Sequence, residues 1–339
     1  MKFISVCSGI GSSAVAWLPA GWRAEAFAEI EPFPSAVLAH HYPDVPNRGD
    51  MTRYQEWPDV PDLDLLMGGT PCQSFSVAGL RQGLADPRGN LALVFLGLVD
   101  RFRPRWVVWE NVAGVLSSNG GRDFGTFLGA LGQLGYGWAY RVLDAQYFGV
   151  AQRRRRVFVV GHRGGWRRAA AVLFERESLS GDPAPAHAEG EVTWWNGAPV
   201  SQTLDAVLHK GQMLPEKNRF PVIAVGEESC LPPTATPTEI ARVAELTTPS
   251  VGVLDRLRTS GLSTAKTTTA SSGRVVLRRI TPTEAEALQG FPADYTAIPC
   301  GNKPADRCPA SPRFKAIGNS VAVPVLRWIG DRISTLETA

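Results

Sequence analysis

A cysteine leaves an apolar strand on a Gly/Pro turn in the run Met67-Gly68-Gly69-Thr70-Pro71-Cys72-Gln73-Ser74-Phe75-Ser76. Leu63 to Met67 reads as the strand, which delivers the thiol to the sheet edge where open α/β folds place their chemistry. A thiol with an ordinary pKa near ~8.5 becomes a nucleophile only where its neighbours favour the thiolate. Taken alone, Pro71-Cys72-Gln73 is also compatible with a buried structural cysteine.

A second short strand, Lys2 to Cys7, runs into Ser8-Gly9-Ile10-Gly11-Ser12-Ser13, after which Ala14 to Leu18 looks helical. Glycines let backbone approach a ligand closely, and a following helix presents N–H groups. The strand Arg23 to Ile30 then ends among Glu29 and Glu31. That is close to the ~20-residue offset at which an acidic side chain accepts hydrogen bonds from a ribose. Together these pieces favour an adenosine-containing cofactor; a glycine turn followed by a solvated acidic pair is the plainer alternative.

Five segments carry a family resemblance: Phe3 to Gly11, Gly68 to Ser76, Glu110-Asn111-Val112, Gln152-Arg153-Arg154-Arg155-Arg156 and Gly318-Asn319-Ser320-Val321. In this order, and over nearly the whole chain, they resemble the ordered motifs of the DNA (cytosine-5) methyltransferases. The resemblance implies S-adenosyl-L-methionine as cofactor, and the missing third glycine of G-x-G-x-x-G agrees, since there is no pyrophosphate to cradle.

The implied chemistry assigns the residues roles. Carbon 5 of cytosine is a poor nucleophile, and adding a thiolate at carbon 6 makes the ring an enamine able to attack an activated methyl group. Cys72 is the expected covalent catalyst, with Pro71 and Gln73 framing it. Glu110, ending the strand Trp106 to Glu110, matches the carboxyl that neutralises charge at N3, with a pKa raised by burial. Asn111 is expected to orient the loop around Pro71 and Glu110. Arg154 matches the arginine that holds the base carbonyl, and Arg156 one that supports the site. For the cofactor, the resemblance implies Gly9, Ile10 and Gly11 at the methionine end, Glu29 at the ribose hydroxyls and Ile30 on the adenine face, with Cys7 and Ser8 also in the cofactor site. Asp50 is expected at the adenine amino group with Met51 beside it; Asn319, Ser320 and Val321 close the pocket from the C-terminal segment, and Gly69 and Pro71 are further cofactor-binding positions. Two positions depart from the family pattern: Cys7 stands where an aromatic is usual and Ser5 where Asp is common. Cys7 is also a second thiol open to labelling.

A base inside duplex DNA must be extruded before such chemistry, at a cost of a few kcal/mol. Residues 73–89 form a Gly-punctuated loop suited to closing over it, with Ser76 and Arg88 on the DNA. Net charge is only +3, but Arg153 to Arg156 make a dense basic run directly before the apolar strand Val157 to Val160. Alternate arginines there should face opposite sides, one set toward the pocket and the other, with Gln152, Arg153 and Arg155, toward phosphates. Lys210 and Arg219 extend the basic surface. Trp194, Trp195, Gln202, His209 and Gln212 join them as candidate base or backbone readers.

The alternation of strands and helices up to about Gly161 gives a doubly wound, mostly parallel Rossmann-like α/β sheet. It uses further strands at Tyr140 to Leu143 and helices at Ser35 to His41, Asn90 to Phe102 and Phe124 to Leu134. The expected organisation is a catalytic and cofactor-binding domain over 1–163, a smaller loop-rich target-recognition domain over 164–273, and a C-terminal segment over 274–339. That last segment opens on a capped helix from Thr281 and closes on a helix from Val321 to about Leu336 that packs back on the first domain. The patch Thr264 to Ser272 is of low complexity. With 44% hydrophobic residues among 339, the chain has the means to bury a large core. Five cysteines without regular spacing argue against a disulfide framework, and Cys300 and Cys308 lack the neighbours of a zinc site, so no metal is expected. No leader or spanning run is evident, which points to the cytoplasm. The resemblance implies a monomer acting on double-stranded DNA and so associated with the nucleoid, with a cognate restriction endonuclease as companion. Competing readings are a tRNA methyltransferase, a nicotinamide-dependent oxidoreductase and a non-catalytic DNA-binding module.

Overall fold

The computed structural model describes residues 1–71, 91–175, 222–226, 267–270 and 273–338. Expectations for Cys72, Gln73, Ser76, Arg88, Trp194, Trp195, Gln202, His209, Lys210, Gln212 and Arg219 lie outside the described residues.

The chain divides into two units, the first comprising 1–144, 155–185 and 320–339 and the second 145–154 and 186–319. In the first, β1 (Lys2–Val6), β2 (Arg23–Ala28), β3 (Leu65–Gly68), β4 (Trp106–Val112), β5 (Gly137–Asp144) and β6 (Arg155–His162) form one sheet in the order β2-β1-β3-β4-β6-β5. The pairs β1/β2, β1/β3 and β3/β4 are parallel, and β6 is antiparallel to both β4 and β5. The chain moves outward from β1 to β2 and then crosses to β3 on the other side. This puts the topological switch, where such sheets hold ligands, at the C-terminal ends of β1 and β3.

The central strands are apolar on both faces because helices cover both. Trp106, Val107, Val108 and Trp109 of β4 are wholly buried, as are Leu65 and Leu66 of β3. The covering helices are α1 (Ser12–Trp17), α2 (Pro32–His41), α3 (Leu91–Phe102), α4 (Arg122–Gln133) and α5 (Trp166–Leu173). The expected break at Gly164 is a turn inside the first unit. Gly164-Gly165 lead into α5, which returns over β5 so tightly that a Cβ on Gly137 would lie 2.1 Å from the Trp166 nitrogen.

In the second unit, β7 (Val222–Gly226), β8 (Thr267–Ala270) and β9 (Gly273–Arg279) form an antiparallel sheet in the order β7-β9-β8. The helix α6 (Pro282–Gln289) starts as the sequence indicates. Thr281 and Glu284 exchange the two bonds of a capping box, Pro282 occupies the first turn, and Gly290 closes the end in the left-handed region. α7 (Ala310–Asn319) is a helix the sequence reading does not contain. Its Pro312 lies in the first turn, where the missing N–H has no intrahelical acceptor to lose. A buried polar cluster joins these helices: Glu286 accepts from the Thr296 N–H at 2.8 Å and from Arg313 at 3.0 Å.

The last helix, α8 (Val323–Thr338), belongs to the first unit and packs on α1 and α5. Trp17 donates its indole N–H to Leu326 O at 2.7 Å, and a Cβ on Gly330 would lie 2.5 Å from that ring. Alanine is the better helix former by about 1 kcal/mol, but overpacking a ring that is both buried and hydrogen-bonded costs about 1–3 kcal/mol. Gly330→Ala is therefore expected to destabilise the protein in chemical denaturation, against what helix propensity alone would give.

Candidate active site

Two clusters of predicted residues lie at the switch of the first unit. The first surrounds the end of β1. Cys7, Gly9 and Gly11 all have positive φ, at 49°, 55° and 85°. The glycines suit that tight turn, while the strain at Cys7 is held by what surrounds it. The Ser8 hydroxyl is turned inward: it donates to Ser5 O at 2.8 Å and accepts from the Ala28 N–H at 3.1 Å, riveting β1 to β2. Ile10 has a fully buried side chain. Ser8 and Ile10 therefore reach a ligand here only through their backbone.

Glu29, just past β2, is fixed by three backbone N–H groups. One carboxylate oxygen accepts from Gly9 at 2.8 Å, and the other from Ile30 at 2.9 Å and Glu31 at 2.8 Å. The carboxylate thus ties the glycine turn to the end of β2. Ile30 is 70% exposed, a large apolar side chain left facing outward beside that carboxylate. Asp50 caps the turn at residue 51 by accepting from the Thr52 N–H at 2.9 Å, and Met51 is buried. The Cys7 sulfur meets the Met51 sulfur at 3.5 Å. An apolar face, two carboxylates and an open left-handed glycine are a donor and acceptor set that fits the adenosine and amino-acid ends of S-adenosyl-L-methionine.

Burial, reinforced by the Glu29 carboxylate, pushes the Cys7 thiol up to about 12. Its thiolate fraction at pH 8 is then about 10⁻⁴, against roughly a quarter for an ordinary thiol. Cys7, a second candidate thiol for labelling, is therefore expected to react slowly. Iodoacetamide is expected to leave Cys7 unmodified at pH 8 under conditions that alkylate a free exposed cysteine, with the rate climbing about tenfold per pH unit up to about pH 11; peptide mass mapping reads this directly.

The second cluster lies at the ends of β3 and β4. Glu110 is buried, and its carboxylate pairs with Arg156 Nε at 3.2 Å. A Cβ on Gly69 would lie 3.0 Å from Glu110 Oε2, so glycine leaves the room this carboxylate occupies. Thr70, two residues before Cys72, is held twice by β4: Asn111 Nδ2 donates to its carbonyl at 2.9 Å, and Trp109 Nε1 to its hydroxyl at 3.0 Å. Pro71 is exposed. The clamp by Trp109 and Thr70 is not among the sequence expectations, because an indole in an apolar strand and a lone threonine carry no motif.

The arginine run alternates as β geometry requires: Arg153 and Arg155 are exposed, Arg154 is buried and Arg156 half-buried. Gln152 is corrected. Fully buried in the second unit, it donates its side-chain N–H to Leu288 O at 2.8 Å and so braces α6 instead of meeting phosphates. Arg154, in the same unit, donates from Nη2 to Gly318 O at 3.1 Å, linking the arginine run to the last turn of α7. Asn319 is exposed there; Ser320 and Val321, in the first unit, are buried. In the second unit the sulfurs of Cys300 and Cys308 lie 2.8 Å apart.

The sheet order and the two clusters define a doubly wound enzyme fold with a ligand turn at β1 and a carboxylate beside Gly69, just past β3. The family model for C-5 cytosine-specific DNA methylases matches residues 1–335, and the chain belongs to that family. It is 35% identical to a DNA N-6-adenine-methyltransferase of Escherichia phage P1 over 97% of its own length and 60% of the phage protein's. The chain thus spans about three-fifths of that relative. It is 29% identical to the type II methyltransferase M2.BsuMI of Bacillus subtilis strain 168, over 98% of this chain and 75% of that one. Among solved structures it shares its fold with the Dnmt2 methyltransferase of S. pombe, with a TM-score of 0.58 at 15% identity over 99% of each chain. Among the described residues no helix is long and apolar enough to cross a membrane.

Proposed function

We propose that the chain transfers a methyl group from S-adenosyl-L-methionine to carbon 5 of a cytosine flipped out of a specific duplex DNA sequence, through a transient Cys72 adduct at carbon 6. The observation that carries this reading is the β3/β4 edge: a buried Glu110 against Gly69 and Arg156, with Thr70 clamped two residues before the cysteine.

Glu29, Ile30, Asp50 and the backbone of Gly9 to Gly11 hold the cofactor, which supplies an electrophilic methyl on its sulfonium. Cys72 attacks carbon 6 as Glu110 donates a proton at N3, so the electron pair displaced from the 5,6 double bond becomes available at carbon 5. Arg154 holds the base carbonyl, its guanidinium anchored on Gly318 O. Once carbon 5 has taken the methyl group, its proton passes to water, the N3 proton returns to Glu110 and Cys72 leaves carbon 6, restoring the aromatic ring, the acid and the thiolate. Arg153, Arg155 and Arg88 contact phosphates, and residues between 186 and 273 read the sequence, with Lys210 and Arg219 among them. The enzyme works as a cytoplasmic monomer on double-stranded DNA, with or without a partner nuclease.

The test is transfer of labelled methyl to duplex DNA and, separately, to tRNA, followed by nucleoside analysis. The expected product is 5-methylcytosine in DNA. N6-methyladenine, the product named for the phage relative, would require attack by an exocyclic amine, which needs neither a thiol adduct nor charge neutralisation at N3. Its appearance alone, or methylation confined to tRNA, would overturn the proposal.

A further inference from the structure

We infer that Asn47 is a positioning residue that sets the adenosine half of the cofactor site, an inference that rests on the reading above of Glu29 and Asp50. β2 is an edge strand, paired on one side with β1. Along its other side runs the segment around residue 47: Phe27 N–H donates to Pro46 O at 2.9 Å and Arg48 N–H donates to Phe27 O at 2.7 Å. Beyond Ala28 the strand has ended, yet both peptide groups of Glu29 are still paired. The Asn47 side chain does this: Oδ1 accepts from the Glu29 N–H at 3.0 Å, and Nδ2 donates to Glu29 O at 3.0 Å. A carboxamide carries one acceptor and an N–H donor as a peptide does, so Asn47 extends the ladder by one residue without continuing the strand.

The same side chain reaches further. Oδ1 also accepts from the Gly49 N–H at 3.1 Å, and Nδ2 also donates to Ser35 Oγ at 3.2 Å, while Ser35 donates to Glu29 O at 3.1 Å. Gly49 has φ 68° and directly precedes Asp50. One amide therefore fixes the backbone of the ribose-binding carboxylate and of the residue before the adenine-binding one. Aspartate cannot replace it, because it has no donor for Glu29 O, and alanine leaves the Glu29 and Gly49 N–H groups without their side-chain acceptor and Glu29 O with Ser35 alone of these two donors.

Asn47 is exposed, so its loss should leave the fold intact and loosen only the two turns. Wild type, Asn47→Ala, Glu29→Ala and the double variant are compared by calorimetric titration with S-adenosyl-L-methionine. Asn47→Ala is expected to raise Kd about fivefold, the effect of about one net hydrogen bond. The melting temperature of the cofactor-free protein should move by less than about 2 °C, as for an exposed substitution. In the Glu29→Ala background the same change should raise Kd by less than about twofold, since the group it positions is gone. An unchanged Kd in Asn47→Ala, full additivity in the double variant, or a weakened Kd matched by a large fall in melting temperature would each overturn the inference. Because titration needs no turnover, a wild type that binds the cofactor but methylates nothing defeats the proposed reaction alone. A wild type that does not bind it defeats both.

Discussion

Cys72→Ser is expected to abolish methyl transfer, with a loss of at least about 10⁴-fold, while cofactor and duplex DNA still bind. A serine hydroxyl is nearly isosteric with the thiol, but near neutral pH it is almost wholly protonated and no cysteine-like anion forms. Without an adduct at carbon 6 the enamine is never made, and carbon 5 stays too electron-poor to attack. Binding is retained because the loop is held upstream of residue 72, by Asn111 and Trp109 acting on Thr70. Single-turnover methylation and gel-shift affinity, measured on the same preparation, separate the two effects.

Glu110→Gln should cost about 10² to 10⁴ in turnover, the range for removing a general acid. The amide keeps the shape that Gly69 accommodates and offers an N–H to the ring, but it cannot release a proton. It also leaves Arg156 facing a neutral group in a half-buried setting, a change to be controlled by a melting curve. If proton donation to N3 is the role of this carboxyl, the rate of adduct formation falls in parallel with methylation. A variant that forms the adduct at the wild-type rate yet methylates slowly would move Glu110 to a later step.

The sequence is most readable where chemistry and periodicity coincide. Trp106 to Trp109 has the unbroken apolar character of a strand covered on both faces, and the structure buries all four residues. Thr281-Pro282-Thr283-Glu284 encodes its own helix start in local hydrogen bonds, so α6 needs no tertiary information. α5 is different. Gly164-Gly165 looks like a domain break from the sequence, and only the close passage of the chain over Gly137 shows it to be a turn back onto the sheet. Helix α7 is obscured by Pro309 and Pro312, which mark a turn in isolation.

The site divides in the same way. Glu29 stands out by its ~20-residue offset from the glycine turn, and Glu110 and the arginines by lying in ordered motifs next to apolar strands. Gln152 misleads for the same reason, since a polar residue opening a basic run looks like a phosphate contact until its burial against Leu288 is seen. Asn47 and Thr70 act through backbone groups far apart in sequence, 18 residues for Asn47 and Glu29 and 41 for Asn111 and Thr70, and no local pattern announces such contacts.

The most direct measurement of the proposed chemistry is trapping on duplex DNA in which 5-fluorocytosine replaces the target cytosine. The fluorine blocks proton loss from carbon 5, so the enzyme stays bonded to carbon 6. A denaturation-resistant complex that needs S-adenosyl-L-methionine, and whose nucleotide maps by mass spectrometry to Cys72, is the expected result. A complex that persists in Cys72→Ser, or methylated duplex DNA with no complex at all, would contradict the thiolate mechanism.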